Sequence, residues 1–88
     1  MAIQFENTDT FGGEANYCWV KRAHILKADG LTDRQLVRRA KAWAGYTGMR
    51  CEVSTYGDAI EIRPRGVCQV LFVNYAEEEH VQGGRLDA

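Results

Sequence analysis

The sequence predicts an α+β fold: an antiparallel β-sheet of four to five strands with one α-helix packed on one face, in the order β-β-α-β-β-β. Three observations predict it. Only residues 31–45 carry apolar side chains at unambiguous helical spacing. Alternating or β-branched runs bounded by turn residues flank that stretch on both sides. A chain of 88 residues leaves room for a single domain.

Taken in order, residues 3–6 alternate, with Ile3 and Phe5 on one side, and read as an opening strand. Asn7, Thr8, Asp9 and Thr10 followed by Gly12 and Gly13 read as a loop, with Phe11 inside it as an anchor or a contact for a partner. Residues 17–26 are the longest strand candidate, rich in aromatic and β-branched side chains. One face would carry Tyr17, Trp19, Lys21, Ala23 and Ile25, the other Cys18, Val20, Arg22, His24 and Leu26. Neither is purely apolar, which fits an edge position or a bulge midway.

Residues 27–30 turn into the helix. Thr32 caps it and Gln35 completes a T-x-x-Q capping box, while Leu31 and Leu36 are spaced as a hydrophobic staple. Leu36, Val37, Ala40, Trp43 and Ala44 share one face, Arg34, Arg38 and Lys41 the opposite one, and Gly45 or Gly48 stops the helix. Residues 50–55 and 59–63 form a hairpin about Tyr56, Gly57 and Asp58, and a turn with Pro64 second and Gly66 fourth follows. Residues 67–75 are almost continuously apolar, as in a strand covered on both faces.

The domain therefore spans residues 1–75. Residues 76–88, with three consecutive glutamates at 77, 78 and 79, have little to bury and read as an acidic, flexible C-terminal tail. A single helix covers one face of the sheet, so Trp19, Leu71 and Val73 are expected on the uncovered side, which points to a homodimer or a bound partner.

Composition narrows the function classes. With 45% hydrophobic and 26% charged residues the chain belongs with folded domains, not disordered ones. A formal net charge of -1 removes the general electrostatic argument for nucleic acid and leaves only a local basic patch. The three cysteines form no C-x-x-C pair, no apolar run nears membrane-spanning length, and the N-terminus lacks a signal-peptide pattern. The expectation is a cytoplasmic protein with reduced thiols, no membrane partner, no metal and no cofactor.

Among candidate sites, the least ordinary stretch holds Phe11, Gly12, Gly13, Glu14, Asn16, Tyr17 and Trp19. Glycines, a carboxylate, an amide and aromatics in one segment make a specific binding surface, although a wide turn explains them as well. It matches no phosphate-loop pattern. Arg34, Arg38 and Lys41, with Arg39 nearby, suit a phosphate or an acidic partner, or form the solvated face of an amphipathic helix. His24 and His80 lack zinc-site spacing, and Cys18, Cys51 and Cys68 read as small strand hydrophobes. Glu52, Asp58 and Glu61 lie near one hairpin but read as turn and solvated positions, so nothing in these residues argues for an enzyme.

The run Thr10-Phe11-Gly12-Gly13-Glu14-Ala15-Asn16-Tyr17, followed by Trp19-Val20-x-Arg22, resembles a group of small proteins encoded by bacteriophages and prophages. Ala40-Lys41-x-x-x-Gly45-x-Thr47-Gly48, Tyr56-Gly57-Asp58-x-Ile60 and the apolar last strand are also similar, so the resemblance covers most of residues 3–74. It implies a viral origin and a host-cell cytoplasmic setting, and carries over no activity and no catalytic residue. The function expected is that of an accessory protein that binds a host or phage macromolecule, inhibition of a host defence protein being one concrete version. The alternatives are a nucleic-acid-binding module using the basic helix face, with steep salt dependence, and a small enzyme.

Overall fold

A computed structural model describes residues 1–11 and 14–87, with the Phe11 side chain, Gly12, Gly13 and Ala88 outside the described set. The elements run β1 (Ala2–Phe11), β2 (Glu14–Ile25), α1 (Asp33–Ala44), β3 (Cys51–Tyr56), β4 (Ala59–Pro64) and β5 (Gln69–Ala76). A short 3-10 turn (Glu78–His80) and β6 (Gly84–Arg85) follow. The fold is α+β, as the sequence predicts, but the described strands form one mixed six-stranded sheet in the order β3-β4-β5-β1-β2-β6. The expected four to five antiparallel strands are corrected in one respect. A sixth, β6, comes from the segment read as a tail and pairs parallel with β2 through Ala23 and His24.

The helix forms for local reasons. The Thr32 side chain accepts a hydrogen bond from the Gln35 backbone, and the Gln35 side chain accepts one from the Thr32 backbone, so both halves of the capping box are made. Gly45 closes the other end at φ 82°, a left-handed conformation that a Cβ would disfavour. Because β2 and β3 lie on opposite sides of the sheet and run parallel, α1 must carry the chain back across one face.

That face is the core. Leu36 and Ala40 press onto Ile3, Phe5, Ile25, Ile60, Ile62, Leu71 and Val73, while Val37, Trp43 and Ala44 pack around them half-buried. Cross-strand partners share a face, so Phe5 opposite Val73, and Leu71 opposite Ile62, place Leu71 and Val73 beneath the helix. The expectation that they lie on the uncovered side is therefore wrong, and with it goes the argument for a dimer built on that face. The uncovered face is largely polar. It carries Gln4 beside His24 and Asn74, and Glu6 ion-paired with Arg22 at 3.0 Å.

β1 continues through the residues read as a loop, because Asn7, Thr8 and Asp9 pair with Leu71, Val70 and Gln69 of β5 at the centre of the sheet. Asn7 and Thr8 are buried there. The 3-10 turn and the residues after it cross the polar face. Gln82 donates its backbone N–H to Gln4 Oε1 at 2.7 Å and accepts from Gln4 Nε2 at 3.0 Å. No helix among the described residues is long and apolar enough to cross a membrane.

Candidate functional site: a buttressed bulge and a tryptophan-lined cleft

The β1–β2 ladder breaks where the sequence is least ordinary. Thr8 pairs with Val20 but Thr10 pairs with Ala15, so the residues between Ala15 and Val20 bulge from β2. Side chains of β1 hold the bulge. Asp9 accepts the backbone N–H groups of Cys18 at 2.8 Å and Trp19 at 3.4 Å, together with the Asn16 amide at 3.3 Å. Thr8 Oγ1 accepts the Tyr17 N–H at 3.1 Å and donates to the Trp19 carbonyl at 3.0 Å. Partial desolvation pushes the Asp9 carboxyl up, but the Asn16, Cys18 and Trp19 hydrogen bonds outweigh it and leave Asp9 below its ordinary value of 3.8.

The bulge costs backbone strain. Tyr17 sits at φ 57°, alone among the described non-glycine residues in the left-handed region. Tyr17 is 51% exposed and the neighbouring Trp19 38% exposed, so the strained backbone presents aromatic residues to solvent. Strain of this kind, held by surrounding hydrogen bonds, concentrates at functional positions. Of the residues singled out from the sequence, Asn16, Tyr17 and Trp19 belong to this bulge, and Glu14 is exposed at its entry, opposite the Phe11 backbone. Gly12, Gly13 and the Phe11 side chain lie outside the described residues.

Trp19 also lines a cleft of about 530 Å³ on the helix side, shared with Asn7, Lys21, Trp43, Ala44 and Gln69. Trp43 is fixed by its tilted contact with Phe5, ring centroids 5.9 Å apart. Below, the buried Tyr46 hydroxyl meets Asn7 Oδ1 at 2.9 Å and Gln69 Oε1. Burial pushes the Tyr46 phenol up, so it remains protonated at neutral pH. The sequence pattern places Trp43 in the core and Asn7 in a loop, and nothing in it marks Lys21, Tyr46 or Gln69 as site residues. No local signal marks them as a group, because sheet pairing and the turn after α1 bring them together.

The basic residues separate into two groups. Arg34, Arg38 and Lys41 line a groove of about 250 Å³ with Val37, Thr47 and Gly48. Lys41 is committed in part to the Met49 carbonyl at 3.0 Å. Arg39 is not among the residues lining the groove. Two of the three hairpin carboxylates are engaged in ion pairs, Glu61 with Arg63 at 3.2 Å and Glu52 with Arg65 at 3.8 Å. Cys18, Cys51 and Cys68 are all free thiols. No protein-family model, curated protein or solved structure matches the chain.

Proposed function

We propose that this chain is a small accessory protein that acts by binding a macromolecular partner, a protein, through the bulge of β2. The observation that carries the reading is Tyr17: a non-glycine residue in the left-handed region, kept there by Thr8 and Asp9, with its ring in solvent. A strand that needed only to pair would not retain such a kink, whereas a rigid, aromatic contact surface benefits from it. The resemblance to phage-encoded proteins makes a host protein the class of partner, and a host defence protein the concrete case. Among the described residues, no thiol, imidazole or carboxylate lines the tryptophan cleft.

The test is capture from host lysate by the full chain, with Tyr17→Ala and Trp19→Ala as controls. The expected outcome is a defined protein retained by the wild type and lost from Tyr17→Ala, since a central aromatic contact contributes about 2 kcal/mol or more to an interface. An identical partner set on all three proteins removes the bulge as the binding surface. Nucleic acid on the helix is the second reading, supported by Arg34 and Arg38 sharing a groove with no carboxylate among the described residues that line it. It is the weaker of the two, because Lys41 is partly engaged and Arg39 lies off the groove.

A further inference from the structure

We propose that the cleft between Trp19 and Trp43 takes the base of a nucleotide, with the phosphate at Lys21. The inference goes beyond the protein-partner reading and does not rest on it.

The floor of the cleft supplies the recognition chemistry. A phenol has one proton, yet Tyr46 meets an amide oxygen of both Asn7 and Gln69. It can donate to only one of them. The other amide must turn its NH₂ toward the phenol oxygen, since the two ends of an amide have the same shape. Whichever amide turns, one carbonyl and one amino group of the pair are left pointing away from the phenol. Asn7 and Gln69 make no other side-chain hydrogen bond among the described residues. Asn7 is only 4% exposed, and no fully buried side-chain nitrogen or oxygen of the described residues lacks a partner, so the surface its amide retains faces the cleft it lines.

A neighbouring donor and acceptor is the pattern on the hydrogen-bonding edge of a nucleobase. The indoles of Trp19 and Trp43 both line the cleft, and indole is a surface on which a flat ring stacks. The charge fixes the rest of the ligand. Lys21 is exposed and has no carboxylate partner among the described residues. The carbonyl end of α1, which reaches the cleft at Ala44, is the negative pole of the helix. An anionic group is therefore drawn to Lys21 and away from the helix, which seats the ring by Trp43. A neutral sugar also stacks on indole but leaves the lysine unanswered. The volume of about 530 Å³ is that of a small-ligand site.

Tryptophan fluorescence of the full chain tests this, titrated with the four nucleoside 5′-monophosphates and, in a second arm, with short single-stranded oligonucleotides. Saturable quenching is expected. Tighter binding per base in the second arm identifies a single strand as the source of the base, and equal binding a free nucleotide. Trp19→Leu and Lys21→Ala, both at exposed positions and checked for fold by circular dichroism, are each expected to weaken binding about tenfold. Nucleosides without phosphate should bind the wild type about as weakly as nucleotides bind Lys21→Ala. Tyr17 does not line the cleft, so Tyr17→Ala leaves nucleotide binding unchanged and the two readings fail separately. The proposal is overturned by absence of saturation at millimolar nucleotide, by equal affinity in wild type, Trp19→Leu and Lys21→Ala, or by saturation with neutral oligosaccharides alone.

Discussion

At the scale of single residues, Asp9 decides the shape of the bulge. Its carboxylate bridges two backbone N–H groups and the Asn16 amide, replacing the ladder hydrogen bonds that β2 loses between Ala15 and Val20. Those bonds favour the ionised form, so the folded chain releases the Asp9 proton at lower pH than the unfolded one. The stabilisation is complete above the ordinary value of 3.8 and disappears as pH falls through the lowered folded value. The Cys18 and Trp19 amide resonances are therefore expected to shift together in a transition below pH 3.8, and Asp9→Asn should abolish that transition. Titration at or above the ordinary value would show that the carboxylate does not hold the bulge. The sequence marks this region through its glycines and aromatics, but not Asp9 itself, which reads as one more polar loop residue. Its role depends on two strands whose register breaks, and no local pattern specifies that break.

At the scale of elements, α1 is the part most legible in the sequence, and the reason is that its determinants are local. Thr32 and Gln35 cap one end across three residues and Gly45 closes the other onto Ala42, and each does in the structure what its position in the sequence implies. Thr32→Ala should lower stability by about 1 kcal/mol, because the Gln35 N–H loses its acceptor while the helix keeps its buried face. In a domain of this size that corresponds to a melting temperature lower by roughly 4–8 °C, with Thr32→Ser close to wild type. A drop of similar size in both variants would mean that methyl packing, not capping, is the stabilising contact. β1 is the opposite case. Asn7 and Asp9 have low strand preference, and the sequence pattern ends the strand at residue 6. Pairing with β2 and β5 on both sides overrides that preference. The same override brings Asn7 beneath the tryptophan cleft, so the misread strand and the missed site share one cause.

At the scale of the whole molecule, the last residues complete the sheet. Composition makes residues 76–88 look dispensable, since three glutamates have nothing apolar to bury. Their contacts are instead polar and long-range, a kind of stabilisation that hydropathy does not register. Gln4, nearly buried on the polar face, donates to the Ala23 carbonyl at 2.8 Å and exchanges both amide hydrogen bonds with the Gln82 backbone. Further on, Asp87 accepts the N–H groups of Lys27 at 2.8 Å and Leu26 at 3.1 Å. The Lys27 N–H and the Arg85 guanidinium hold the Asp87 carboxyl well below the usual carboxylate range, so this closure is intact at neutral pH and is lost only in strong acid. If Gln4 serves mainly to fasten this segment, then Gln4→Ala and removal of the residues after Ala76 must be coupled. In the full chain Gln4→Ala is expected to cost about 2 kcal/mol, because the Gln82 backbone groups lose their partner along with the Ala23 carbonyl. In the shortened chain only the bonds to the Ala23 and Phe5 carbonyls remain to be lost, so the same substitution should cost about 1 kcal/mol less. Urea unfolding of the four proteins measures that difference. Equal costs in the two backgrounds would mean that Gln4 stabilises β1 and β2 alone, and that the last strand rests on the sheet without being tied to it.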